Sequence, residues 1–454
     1  MTTALEALAF SLASLRAEAI AGPMREKLAL HVVDATGAWI AASHTAEGRA
    51  LIAFRGTVQT AGGEPSLFAD VATSCALARS SEIDDIHLAS MTTPGSIVVP
   101  GALTIARALP DMNPSDLTPA LIAGYEAMIR LGLAIGGPNI LYRGIWPTYV
   151  AAPFAIAAVA SRLMKLDARA TSHALALALT LAAPGVGHHS AETTARWLAV
   201  GNAARNGLAA AFAARSGFTS DLKMLQSGFF ANVYGITPDL SPLTGGLDAE
   251  PMLAQVSCKP WCAARQTIAA TQALREVIDD GVKPGDIAEI RVAVLPPHLK
   301  MIDHGVVAGD RASHLTSVQY QMAVAALEPK AALELSSSSP SPEIQAFMAR
   351  IRVEPDEALL TAYPSAWPAR IAVATRSGTH ERLVTHVPGD PARPFAAQDI
   401  STKFHRVVAP LIGTHRADGV LRRIGEALEQ PRALTALVDD VNRIGERALF
   451  GSPS

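Results

Sequence analysis

Cysteine is scarce in this sequence. Only Cys75, Cys258 and Cys262 occur among 454 residues. Three thiols cannot all pair within one chain, which excludes a disulfide-stapled extracellular scaffold and leads us to expect a reducing, cytoplasmic setting. Aromatic residues are few, at 5%. Neither sign of charge dominates: 38 Lys and Arg stand against 41 Asp and Glu, a net of −3. Nothing in that balance points to nucleic acid or to a membrane surface as a partner, although a local positive pocket remains open. Long apolar runs are absent too. Leu175 to Val186 is among the longest and stops short of the roughly 18 residues a bilayer-spanning helix needs. The first twenty residues hold Glu6 and Arg16 around their apolar run without a basic leader, so no signal peptide is expected.

Familiar catalytic signatures are missing as well. There is no Gly-x-Gly-x-x-Gly after a strand, no phosphate loop, no His-Glu-x-x-His and no Gly-x-Ser-x-Gly. Cys258 and Cys262 lie four apart with no matching His or Cys ligands, so no metal site is expected. His188 and His189 are adjacent, which turns their side chains apart and suits a surface or loop.

What is present is a chain able to fold. Hydrophobic residues make up 49% and charged residues 17%, the reverse of the balance that keeps chains disordered. The length allows one to three domains at roughly 150 residues each. Leu121, Tyr125, Met128, Ile129 and Leu133 recur at three- and four-residue spacings, which predicts a helix over Leu121 to Ile135. Ala151 to Leu163 is apolar nearly all round, as in a helix buried among helices, and Ala203 to Arg215 stops before Gly217. Character changes near residue 285. Ile290, Val292 and Val294 alternate in a strand over Ile287 to Leu295, and Ala369 to Val387 predicts a hairpin about Ser377-Gly378. A helix is expected around Leu315 to Leu327, a loop at Ser336 to Pro342, and helical texture from Gln398 to Phe450. The expected fold is mainly α: a large all-helical domain from residues 1–265 and 395–454, with a smaller α/β domain of residues 266–394 inserted.

Chemistry concentrates in four places. Ser81 to Pro100 packs Glu82, Asp84, Asp85 and His87 together, followed by Thr92, Thr93 and the turn Pro94-Gly95. Acidic groups with a histidine can relay protons or hold a substrate hydroxyl, and a turn can aim N–H groups at an anion; a plain solvated turn is the simpler alternative. Val256 to Gln266 sets Lys259 and Arg265 among apolar residues, where a lysine can become a base or simply snorkel. Gly144 to Tyr149 opens a buried helix with aromatic and hydroxyl groups, and Arg196 precedes another.

The stretch EIDDIHLASMTTPGSIVVPGALTIA resembles the MmgE/PrpD (2-methylcitrate dehydratase) family, whose members show Asp-Phe-Asp-Asp-Thr-His, then Thr-His-Pro-Gly. GYEAMIRLG, GIWPTYVAAPFAIAAVASRLMKLD, ARWLAVGNAARNGLAAAFAARSGFTS, CKPWCAARQTIAA, SVQYQMAVAAL and PGDPARPFAAQDISTKF follow in the family's order. The resemblance covers roughly residues 25 to 405. It implies a helical domain with an inserted α/β lid, no metal and no cofactor, an active site between the domains, a homodimer, and a small di- or tricarboxylate substrate. Family chemistry includes dehydration of 2-methylcitrate, decarboxylation of cis-aconitate and epimerisation of iminodisuccinate.

Departures from the pattern matter as much. Glu82 replaces an aspartate and Ile86 a threonine; Thr93 and Trp146 replace histidines; Arg196 replaces a lysine. Asp84, Asp85, His87, Lys259, Arg265 and Tyr320 match. A dehydratase needs an acid for its leaving hydroxide, whereas an epimerase needs only a base on each face of one carbon. The expectation is therefore an epimerase or racemase resembling iminodisuccinate epimerase. Lys259 and Tyr149 would be its proton carriers. Arg196 and Arg265 would clamp carboxylates, Tyr320 would reach in from the α/β domain, and Asp84, Asp85, His87, Thr92 and Thr93 would bind or orient the substrate. A hydro-lyase or decarboxylase is the alternative, and a non-catalytic carboxylate-binding protein the third.

Overall fold

A computed structural model of the chain describes residues 2–62, 66–109, 112–183, 193–335 and 339–450. It divides into two compact units. One takes the described residues of Met1–His188, Thr194–Val256 and Ala396–Ser454, the other those of His189–Thr193 and Ser257–Phe395. His188, His189 and residues 336–338 of the expected loop lie outside the described residues.

The first unit is helical. Helix Leu117–Ala134 covers the predicted stripe and packs against Pro147–Leu163, which in turn packs against Ala195–Arg215. Alanine explains the tight association: it has no side-chain entropy to lose in a helix, and its small size lets axes approach. Proline at the first position of Pro147–Leu163 starts that helix where no N–H partner exists anyway. Helices Gly22–Ser43, Leu67–Ser80 and Gly95–Ala108 pack on this core, and the C-terminal helix Ala397–Ile412 closes against Gly22–Ser43. No helix among the described residues is long and apolar enough to cross a membrane.

The second unit holds a four-stranded mixed sheet in the order β2-β1-β3-β4, with β1 at Ile287–Val294, β2 at Ile351–Pro355, β3 at Ala369–Thr375 and β4 at Gly378–Val384. The predicted hairpin is β3-β4. Strand β1 pairs antiparallel to β3, with Ile290 opposite Val373 and Val292 opposite Ile371, so both strands turn their apolar side to one core. Helix Arg265–Asp279 covers β3 and β4, and Val318–Leu327 packs on that helix. Strand β2 is parallel to β1 at the sheet edge. It escapes sequence reading because five residues ending in proline, three of them exposed, carry little periodic signal. The single helix expected over Leu315 to Leu327 is instead two, Arg311–Thr316 and Val318–Leu327. Ser317 breaks the run: its backbone is extended and its hydroxyl accepts the N–H of Tyr320, capping the second helix.

Candidate active site

The chemistry-bearing residues fall into two sets, one in each unit. In the helical unit the acidic turn begins where helix Leu67–Ser80 ends. Arg79, in that helix's last turn, is a buried cation, and a cation suits the negative end of a helix. Its Nη1 lies 2.8 Å from Glu82 and 3.5 Å from Asp84. Burial works against the charge, yet Asp84 and Glu82 outweigh it and hold Arg79 above its ordinary range. Sequence reading did not single out Arg79; its three-residue spacing from Glu82 was the available signal.

Tyr149 stands in the first turn of helix Pro147–Leu163 and is fully buried. Its ring stacks on Trp146 at 5.5 Å between centroids, and its Oη has no hydrogen-bond partner among the described residues. Burial pushes the phenol up to about 12, against the pull of Arg79 and Arg196. Arg196 opens helix Ala195–Arg215, with its guanidinium 4.3 Å from the Trp197 ring centroid; that of Arg79 lies 5.7 Å from the same ring, within cation–π range.

Other residues of the turn are engaged locally. Asp85 Oδ2 pairs with His31 Nδ1 at 2.8 Å and accepts the Tyr125 hydroxyl at 3.0 Å, while Oδ1 accepts the Gly95 N–H at 2.6 Å. A side chain at Gly95 would meet that carboxylate at 2.4 Å, so only glycine admits it. Asp85 thus ties the turn to the start of helix Gly95–Ala108. His87 Nδ1 accepts the Ser90 N–H at 3.2 Å, which places the ring proton on Nε2, and burial lowers its pKa to about 4. Thr92 bonds to Ser90 through its hydroxyl. Thr93 meets Thr148, Tyr149's neighbour, through both N–H and hydroxyl. These bonds stitch the turn to the Tyr149 helix.

In the α/β unit the segment Ser257–Arg265 is likewise built in. Cys258 N donates to Gly389 O at 3.0 Å. Gly389 has φ +93, and a side chain there would strike the Cys258 carbonyl at 2.1 Å. Lys259 is 2% exposed, so it does not snorkel. Arg265 Nη2 grips both Asp390 oxygens, at 3.0 and 2.8 Å, and Asp390 also accepts the Val387 N–H. A buried pair of this geometry fastens the segment to the loop before Pro391, while Nε and Nη1 of Arg265 have no hydrogen-bond partner among the described residues. His298, which sequence reading passed over, lies 4.9 Å from Trp367 between ring centroids; burial, then the charge of Arg265, lower its pKa to about 3. Tyr320 is half-buried, edge-on to His314 at 4.8 Å, with its phenol raised by burial. The two border a cavity of about 70 Å³ with Cys262, Arg311 and Gln321. Among the described residues, no cluster of three or more His, Cys, Asp and Glu is placed to hold a metal ion.

Fold and side chains together define a mainly helical protein with a smaller α/β part, burying arginine–carboxylate groups in each unit. Comparison with protein families places it further. The model of the MmgE/PrpD N-terminal domain matches residues 6–240 and that of the MmgE/PrpD C-terminal domain residues 261–429. The chain belongs to the MmgE/PrpD family. Among curated proteins it is similar to the cis-aconitate decarboxylase-like protein oryM of Aspergillus oryzae, 29% identical over 173 residues, which is 36% of this chain and 36% of that protein. It is also similar to the cis-aconitate decarboxylase of Homo sapiens, 31% identical over 156 residues, 33% of this chain and 32% of the relative. The matched stretches therefore span 36% and 32% of those relatives' own lengths.

Proposed function

We propose that this chain is an enzyme that removes and returns the proton on the α-carbon of a small dicarboxylate, an epimerase or racemase resembling iminodisuccinate epimerase. Tyr149 carries the reading. An unpaired buried hydroxyl costs about 1–3 kcal/mol, and this one lies in the field of Arg79 and Arg196. A bound acid would offset that cost. With a pKa near 12, Tyr149 stays a phenol at neutral pH, so it serves as the proton donor rather than the resting base. Lys259 takes the α-proton, and the electron pair left on carbon delocalises into the adjacent carboxylate or imine. Tyr149 then gives its proton to the opposite face, and the phenolate that forms is stabilised by Arg79 and Arg196. Nothing leaves the substrate, and the two proton carriers end in exchanged states.

Burial that lowers the His87 pKa to about 4, with its Nδ1 held by the Ser90 N–H, speaks against it as the acid that loss of hydroxide would need. Arg196 is a side chain suited to a substrate carboxylate; Asp85, Thr92 and Thr93 bond to the protein's own loops, and Arg265 Nη2 holds Asp390. A second reading, decarboxylation, is favoured by the names of the two relatives; the carbanion left by departing carbon dioxide would take its proton from the same phenol. Incubation of the enzyme with candidate dicarboxylates in deuterium oxide separates the readings. Deuterium should enter the α-carbon without release of water or carbon dioxide. Carbon dioxide release would favour the second reading, and a new alkene absorbance would reveal dehydration.

A further inference from the structure

One turn of helix Gly22–Ser43 carries two buried ionisable residues, His31 and Asp34, three apart and so on one face. His31 holds Asp85 directly. Asp34 Oδ1 lies 2.6 Å from the Lys403 Nζ, and that ammonium also donates to the Ile83 carbonyl at 2.8 Å. Lys403 sits on helix Ala397–Ile412, 320 residues beyond Ile83. The acidic turn is therefore gripped at residue 85 by the helix itself and at residue 83 through a lysine from the far end of the chain.

We propose that Lys403 and Asp34 are positioning residues that set Glu82 and Asp84 against Arg79. Glu82 has φ +61, a left-handed conformation that a non-glycine residue keeps only where its surroundings over-determine it. Arg79 pulls its side chain from one side. The next residue's carbonyl is fixed from the other by Lys403. Without that second grip the strained residue can relax, and the carboxylates that balance Arg79 near Tyr149 lose their register. Stability alone is a poor reason for such a pair, because the desolvation cost of two buried charges consumes much of their attraction.

This inference rests on the proposed reaction only for its kinetic readout, so the experiment carries a second readout that needs no substrate. Lys403→Met, Lys403→Arg and the double variant Asp34→Leu/Lys403→Met are compared with the wild type by peptide-resolved amide exchange and by steady-state kinetics on whichever dicarboxylate is turned over. Exchange should quicken at least tenfold in residues 81–88 of Lys403→Met while the core helix Leu117–Ala134 keeps its protection. Its kcat should fall tenfold or more, with KM within threefold. Lys403→Arg, which can still reach both acceptors, should recover most of both. The double variant should regain thermal stability, since both charges are gone, yet keep the fast exchange and low kcat because Ile83 remains unheld. Unchanged exchange at 81–88 in a folded Lys403→Met, or a double variant that regains kcat together with stability, overturns the proposal. If Lys403→Met does not fold, the double variant decides. If the wild type turns over no dicarboxylate, the functional proposal fails while exchange at 81–88 still decides this one.

Discussion

The acidic turn of the helical unit and the Ser257–Arg265 segment of the α/β unit solve a similar problem differently. Each buries an arginine against carboxylates. Around Arg79 the partners are near neighbours in sequence, Glu82 and Asp84, and a phenol with no hydrogen-bond partner among the described residues stands in the same field. Around Arg265 the partner is Asp390, 125 residues away, and it takes both hydrogen bonds of one guanidinium nitrogen in bidentate form. The first arrangement leaves a buried phenol beside two arginines. The second locks a loop and so fixes the burial of the nearby Lys259. A buried arginine alone does not mark a substrate clamp; what its carboxylate partner also binds decides the matter.

Breaking each side should give a different signature. The largest effect belongs to Lys259→Ala, where turnover should fall by about 10⁴-fold; near-normal turnover removes the lysine from the mechanism. Next comes Asp390→Ala. Orphaning a buried arginine costs about 3–5 kcal/mol, read by urea denaturation, and replacing both partners, as Arg265→Met/Asp390→Leu, should recover most of it. A clamp acting on substrate would instead raise KM and leave stability unchanged.

The acidic turn makes a pH prediction. His87 binds its proton near pH 4 in the folded protein and near its ordinary 6.5 when unfolded. Its neutral burial is therefore fully compatible with folding above pH 6.5, and stability is lost as pH falls from 6.5 towards 4, by about 3 kcal/mol. His87→Gln should flatten that fall, measured by denaturation at a series of pH values, without moving the pH dependence of turnover above 6.5. The smallest effect is expected for Thr93→Val. Loss of its hydroxyl contact with Thr148 should cost about 1 kcal/mol, visible as a modest drop in melting temperature.

Much of this organisation was legible beforehand, for a physical reason. Helical stripes such as Leu121 to Leu133 and the alternation at Ile290, Val292 and Val294 are local, so their periods survive in the sequence. Strand β2 left too short a period to read. Likewise Glu82, Asp84, Asp85 and His87 announced a site by crowding, but crowding did not tell which of them face inward to a partner. Asp85 is engaged by His31 and Tyr125, 54 and 40 residues away, and Ile83 by Lys403. Partners at that range leave no spacing to read. Arg79 is the exception: it was local enough to notice, three residues from Glu82 at a helix end.

The central claim is that Tyr149 is the proton donor on one face of a single carbon while Lys259 works the other. It is tested most directly by Tyr149→Phe offered each stereoisomer of the substrate in deuterium oxide. The variant should be stable and folded, with solvent deuterium entering one stereoisomer only and inversion lost. Inversion at the wild-type rate, or equal exchange into both stereoisomers, would contradict it.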